Sequence, residues 1–338
     1  MIGVFNMAEY QGVAVFIEHK GDRLLPISLE GLGAGRKLAD DLGQPLTALL
    51  MGSDIGGLAQ SAIAGGADKV YVVDDPMLKD FQADAYLSVM EKVVEQVKPS
   101  VLILGQNDVG RDLAPRLAFR LGTTVTMDCV DLAIDPATKR LLQTKPVYGG
   151  NALAVFVSEA DPQIVTIRTK AMTTLEPDAS RKGEVINIAA GLDASAIRTK
   201  ILNRVEEEVA GIKIEDAGTV VAGGRGIGSP EGFKQLEELA KLLKGAVGAS
   251  RPPCDNGWVP DTVQVGLTGK IIAPELYIAV AISGSSQHMS GCSGSKTIIA
   301  INKDKEANIF RHARFGVVGD WKKVLPAFTD KVKELLAA

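Results

Sequence analysis

Residues Leu276–His288 read LYIAVAISGSSQH. An unbroken apolar run stops abruptly in a turn of hydroxyls, amide and imidazole. Such a run fits a strand buried on both faces, which is the habit of parallel sheets covered by helices. The Ser-Gly-Ser-Ser that follows is a helix-start signal. The unit is therefore strand, turn, helix, with the strand spanning Tyr277–Ile282. Downstream, Thr297–Asn302 (TIIAIN) and Gly316–Gly319 repeat the strand pattern, and an amphipathic helix over Lys322–Leu336 follows. Upstream, Thr219–Gly224 is a strand, Glu231–Lys244 an amphipathic helix and Ala246–Ser250 a short strand. Strands alternating with helices imply right-handed crossovers and a doubly wound parallel sheet.

The first half alternates in the same way. Val13–Ile17, Thr47–Met51, Val70–Asp74 and Val101–Gly105 are strands, while Leu32–Leu42, Gly56–Gly65 and Ala83–Val97 are helices. From Val125 to Ile167 short apolar runs are separated by Asp135-Pro136 and Gly149-Gly150-Asn151, which predicts antiparallel or mixed strands. Glu176 to Lys213 is charged and turn-rich, including Glu206-Glu207-Glu208. The expected domain boundary lies in that segment, near Val205, giving units 1–205 and 206–338. The fold class is thus α/β with two doubly wound domains, the second a Rossmann-like parallel sheet.

Composition excludes several classes of function. The 338 residues carry a net charge of −4 with 46% hydrophobic residues. That balance lacks the concentrated basic surface a nucleic acid requires. Three cysteines without CxxC spacing suit a reducing compartment. Three scattered histidines give no zinc motif. No window reaches the length of a membrane span and the N-terminus has no leader pattern, so the expected location is the cytoplasm.

Ligands of doubly wound sheets bind outside the carboxyl ends of the strands. In the second half those ends carry four polar clusters. Gly223-Gly224-Arg225-Gly226-Ile227-Gly228-Ser229 is glycine-rich before a helix, as a phosphate-binding turn is. It departs from the dinucleotide fingerprint because Ser229 takes the third glycine position and Ser250-Arg251 replaces the ribose-binding acid. Taken alone it is equally a tight strand–helix turn. Ser250-Arg251-Pro252-Pro253 is a pinned cation or a surface Arg beside a turn. Gln264-Val265-Gly266-Leu267-Thr268-Gly269-Lys270 is a hairpin-like loop or one lying along a flat ring. In Ser283-Gly284-Ser285-Ser286-Gln287-His288 the hydroxyls, backbone N–H groups and imidazole can meet phosphate or ring oxygens.

With these four clusters in order, together with YGGNAL at Tyr148–Leu153 and Ala300-Ile301-Asn302, the chain resembles the electron transfer flavoprotein alpha-subunit family over nearly its whole length. The resemblance implies FAD in the second domain and a smaller beta subunit packed on the first. It implies Arg251 beside the isoalloxazine, Thr268 at flavin N5, and Gln287 with His288 as donors at the pyrimidine oxygen. The loop Gln264, Val265, Gly266, Leu267 would lie along the ring. Arg225, Ser250 and the turn Ser283, Gly284, Ser285, Ser286 would meet the phosphates and ribityl chain. Asn302, Asp320 and Trp321 would sit at the adenosine end. Many relatives have Gly at the position of Ala281, an aliphatic residue at Ser286 and a polar one at Leu267. A Gly-to-Ala change within a strand is easily accommodated.

The implied work is electron carriage from a dehydrogenase to a quinone reductase, ferredoxin or similar acceptor, with electron bifurcation in some relatives. No nucleophile–base or acid–base pair stands near the clusters, which suits a carrier. Two other readings use the same residues. An NADP-dependent oxidoreductase would take Gly224–Gly228 as its fingerprint and Arg251 as the 2′-phosphate clamp. An adenine-nucleotide-binding module would bind without redox activity.

Overall fold

A computed structural model describes residues 10–150, 152–199, 201–203 and 212–337. The expected junction near Val205, the run Glu206–Glu208 and Asn151 lie outside the described residues. The chain falls into two compact units, one of residues 1–146 and 153–204, the other of 147–152 and 205–338.

The first unit is built on β1 (Val13–Ile17), whose five residues are all buried. Alternate residues point to opposite layers, as a strand requires. Val13, Val15 and Ile17 pack with Leu32 and Leu38 of α1 (Pro26–Leu42) and Ile63 of α2 (Ala59–Ala64). Ala14 and Phe16 pack with Met90 and Val93 of α3 (Ala83–Val97) and Leu113 and Leu117 of α4 (Asp108–Arg120). The remaining strands of the sheet are β2 (Leu46–Gly52), β3 (Lys69–Asp74), β4 (Val101–Gly105), β5 (Val125–Cys129), β9 (Gln163–Ile167) and β10 (Glu184–Asn187). Their order is β10-β3-β2-β1-β4-β9-β5, all parallel.

Several elements differ from expectation. Val125–Cys129 and Gln163–Ile167 are parallel strands of the main sheet. Only the stretch between them leaves it, as a sheet ordered β8-β7-β6 from β6 (Asp131–Ile134), β7 (Leu141–Val147) and β8 (Ala152–Phe156), with β6 and β7 antiparallel. Glu184–Asn187, in a segment without apolar periodicity, adds an edge strand beside β3. It is held by its backbone, which explains the missing pattern. Helix α4 is not foreseen by the sequence pattern. Gly110 and Pro115 interrupt its apolar period, yet Asn107 caps it by accepting from Gly110 N–H at 3.0 Å.

The second unit holds β11 (Thr219–Gly223), β12 (Ala246–Ala249), β13 (Leu276–Val280), β14 (Thr297–Asn302) and β15 (Phe315–Val318). Their order is β12-β11-β13-β14-β15, all parallel. One face packs Ala222, Tyr277 and Ala300 with Met289 and Cys292 of α7 (Ser286–Cys292). The other packs Val221, Ile278 and Ile301 with Phe233 and Leu236 of α5 (Pro230–Leu242) and Trp321 and Leu325 of α8 (Trp321–Ala337). Between α5 and α7 lies α6 (Arg251–Asp255). The two doubly wound parallel sheets are those read from the sequence.

Candidate functional site

The winding of the second sheet reverses between β11 and β13, where open α/β sheets hold ligands. Here the backbones come together: Gly224 N–H donates to Val280 O at 2.9 Å. A methyl at Gly224 would overlap the Ala281 carbonyl, and one at Gly226 would lie 3.0 Å from the Ala281 methyl. The glycines thus serve strand closure as well as the loop. Ala281 itself lies outside the strand, contrary to the sequence expectation. Strand β13 ends at Val280, and Ala281 takes a left-handed φ of 55°. A Cβ is disfavoured there, so the Ala is a strained choice at a cavity wall.

Above these ends is a cavity of about 820 Å³. It brings together Arg225, Ser250, Arg251, Gln264, Val265, Gly266, Leu267, Thr268, Ser283, Ser285, Gln287, His288 and Asn302 of the predicted residues. Gly284, Ser286, Asp320 and Trp321 do not line it. Gly284 is structural: its φ is 79° and a methyl there would overlap the Ile309 backbone nitrogen. Asp320 accepts from Lys322 N–H at 3.0 Å at the start of α8. Trp321 is buried, with its indole N–H on Gly226 O at 3.0 Å.

Each cluster is positioned by its own chemistry. Arg251 opens α6 and its Nε lies 3.2 Å from an Asp255 oxygen, one turn on. It remains 65% exposed and so is available to a ligand. Loop 264–270 continues the sheet edge through a parallel bridge from Ala249 to Gln264. Gln264 Nε2 donates to Thr268 Oγ1 at 3.1 Å, which leaves the Thr268 proton as the donor to a ligand. Leu267 N–H donates to Gln287 O at 2.8 Å, tying the loop to α7. Asn302 donates to Ile282 O at 2.9 Å and accepts from Asp304 N–H at 3.0 Å.

His288 departs from the expected ring donor. It is 5% exposed, and burial pushes its imidazole down to about 4, so it is neutral near pH 7. Nδ1 lies 3.0 Å from Val265 O, which can only accept, so Nδ1 carries the proton. Nε2 then accepts from the Tyr277 hydroxyl at 2.9 Å. Both ring nitrogens are engaged inside the fold, because an imidazole buried this deeply must be satisfied there.

Sequence reasoning missed Asp255, Ala281, Ile282, Lys303, Asp304 and Ala307 as lining residues. Lys303 and Asp304 directly follow the β14 end, and the strand-end rule could have found them. Asp255 needed helix α6, which the two prolines obscured. Burial pushes the Cys254 and Cys292 thiols up to about 11 and about 12, which makes both packing residues. Among the described residues no group of His, Cys, Asp and Glu converges to hold a metal, and no helix is long and apolar enough to cross a membrane.

The chain resembles known proteins over both units. The family model for the electron transfer flavoprotein domain matches residues 13–192, and that for the electron transfer flavoprotein FAD-binding domain matches residues 213–293. The chain is 43% identical over 330 residues to the electron transfer flavoprotein subunit alpha of Thermoanaerobacterium thermosaccharolyticum, covering 97% of this chain and 100% of the relative. It is 44% identical over 332 residues to that of Megasphaera elsdenii, covering 97% and 98%. It is 38% identical over 327 residues to the LctC subunit of the lactate dehydrogenase (NAD(+),ferredoxin) of Acetobacterium woodii, covering 96% and 77%.

Proposed function

Because the chain belongs to the electron transfer flavoprotein alpha-subunit family, we propose that the cavity above its second sheet is where the cofactor of this FAD-binding electron carrier sits. The observation that carries this reading is the convergence of four polar loops on one cavity of about 820 Å³. That volume is at the large end of small-molecule clefts, about 300–1,000 Å³, and suits a dinucleotide-sized group. The donors fit FAD: cations at Arg225, Arg251 and Lys303, hydroxyls at Ser250, Thr268, Ser283 and Ser285, and the Gln287 amide. When bound, FAD supplies the one-electron chemistry.

The protein's part is to hold and bias the ring. Arg251 places a fixed positive charge at the cavity wall, and Thr268 offers a proton to a ring nitrogen. Gln287 is the side-chain donor for the pyrimidine oxygen. His288 contributes as a neutral brace, through its bonds to Val265 and Tyr277. Glycine loop 224–228 and Ser283–Ser285 take the phosphate-bearing part, and Asn302 the adenosine end. A charge-assisted hydrogen bond contributes on the order of 1.5–3 kcal/mol, less for an exposed Arg. Arg251→Ala should therefore lower the first-electron midpoint by roughly 50–100 mV. An unchanged midpoint in a redox titration of the heterodimer would remove Arg251 from the ring.

The partner is the family's beta subunit, and residues 1–205 are the part that packs on it. Support comes from β8 and the residue after it. Leu153, Val155, Phe156 and Val157 are all exposed, a contiguous apolar strand that a partner would cover. Leu153→Ser/Val155→Ser should weaken co-purification of the two subunits while the alpha chain keeps its circular dichroism. The donor is a dehydrogenase and the acceptor a quinone reductase, ferredoxin or similar protein, in a cytoplasmic setting that suits free, buried thiols. The match to a subunit of an NAD(+),ferredoxin enzyme makes bifurcation the specific second reading. Counting flavins per heterodimer decides it: one FAD for a simple carrier, two for a bifurcating one.

A further inference from the structure

We propose that Trp321 is a positioning residue for the FAD site: it grips the glycine loop through one hydrogen bond and so sets how tightly the phosphate-bearing part of the cofactor is kept. This rests on the reading of the cavity given above. Trp321 is the first residue of α8, is 7% exposed and stands outside the cavity lining. Its Nε1–H donates to Gly226 O at 3.0 Å, and an indole can only donate, so the bond has one direction. Gly226 does line the cavity, beside Arg225.

The same peptide is held from a second side. A Cβ on Gly226 would lie 3.0 Å from the methyl of Ala281, the residue in the left-handed conformation. The fold makes room here for both Ile227 and the indole: a Cβ on Gly232, in the first turn of α5, would lie 2.5 Å from the Ile227 side chain and 3.1 Å from the Trp321 ring. Gly224 N–H on Val280 O at 2.9 Å and the buried Ile227 side chain anchor either side of this peptide, and the two grips fix the Gly226 part of the loop between them. The loop's internal bonds are Ile227 N–H to Gly224 O and Gly228 N–H to Arg225 O, at 3.1 and 3.2 Å. A loop held before binding does not have to be ordered on binding, and the saving appears as a slower release of ligand.

The test uses the heterodimer carrying Trp321→Phe, which keeps an aromatic ring and removes the N–H. FAD release should quicken roughly five- to tenfold, the effect of one hydrogen bond of about ordinary strength. Affinity for riboflavin, which has no phosphate, should stay within about twofold, and the flavin midpoint should not move. Release unchanged from the wild type overturns the proposal. So does equal loss of FAD and riboflavin, which would mean general disruption. A wild-type heterodimer that holds no FAD would instead sink the cofactor reading itself. Ala281→Gly gives an independent arm in a chain expected to fold better. Removing the strained methyl should raise the melting temperature while FAD release quickens by about two- to threefold, and a slower or unchanged release would overturn the second grip.

Discussion

In the first sheet the winding reverses between β1 and β4, and the space above that point is occupied by the chain itself. A methyl on Gly105 would lie 2.7 Å from Ile27 and 3.0 Å from a Glu18 oxygen, so those side chains already cover the strand end. Asn107 donates to both Glu18 oxygens at 2.8 and 2.9 Å, and α4 starts directly against the Gly105 carbonyl. In the second sheet the reversal lies between β11 and β13, and the strand ends also meet, but the loops beyond enclose a cavity. Both sheets have the crevice that doubly wound topology provides. What differs is where the polar atoms of the following residues are spent. In the first they satisfy one another; in the second the loop hydroxyls and the cations Arg225, Arg251 and Lys303 line the cavity.

The largest expected effects come from the two glycines that allow closure. A methyl at Gly110 would overlap the Gly105 carbonyl, as one at Gly224 would overlap Ala281. Gly110→Ala and Gly224→Ala should each destabilise by about 3 kcal/mol, at the upper end of overpacking costs. For Gly110 the sign is a sharp test, because helix propensity alone predicts a gain of about 1 kcal/mol from Ala. A raised urea midpoint for Gly110→Ala would break the account of the filled crevice.

Glu18 in the first crevice and His288 in the second are both buried, and the two respond oppositely to pH. Burial raises the Glu18 carboxyl to about 7, with Asn107 opposing and Asp108 adding to the rise. The folded chain therefore binds this proton more tightly than the unfolded one. Glu18's contribution is fully present below about 4.5 and is lost as pH rises toward 7, by on the order of 3 kcal/mol. Glu18→Gln should flatten that slope and be the more stable protein at pH 8. His288 has the reverse sign. Its folded value of about 4 lies below the ordinary 6.5, so its contribution is full above 6.5 and is lost as pH falls toward 4. His288→Gln should flatten the acid limb of a plot of unfolding free energy against pH. Parallel slopes in both variants and the wild type would remove the contrast.

Much of this contrast is legible in the amino-acid sequence. Val13–Ile17, Ala83–Val97, Val101–Gly105 and Thr297–Asn302 have the bounds their periodicity predicts, because burial on fixed faces writes itself into hydrophobic spacing. The cavity loops are legible because polar and glycine residues cluster directly after apolar strands. What is not legible depends on backbone geometry and tertiary partners. No periodicity announces that Ala281 is left-handed, that the His288 ring turns inward to Val265 and Tyr277, or that the Trp321 N–H reaches Gly226 across 95 residues. Glu18, in sequence no more than a residue after a strand, gains its meaning from Asn107, 89 residues away.

The smallest expected effects sharpen the comparison most, since they concern equivalent caps. Asn107 accepts from Gly110 N–H at 3.0 Å and braces Glu18 as well, whereas Ser285 accepts from His288 N–H at a long 3.4 Å. Asn107→Ala should cost about 1–2 kcal/mol, as the loss of a good N-cap beside a buried carboxyl does. Ser285→Ala should cost the cofactor-free chain only about 0.5 kcal/mol or less, since so long a bond is weak. Ser285 lines the cavity, so the loss should appear in binding, with FAD affinity lower by roughly two- to tenfold. Calorimetric unfolding of both variants, paired with FAD titration of Ser285→Ala, separates the two quantities. If Ser285→Ala costs as much stability as Asn107→Ala and leaves FAD affinity unchanged, then the polar groups of the second crevice serve the fold, as those of the first do, and the distinction between the two sheets fails.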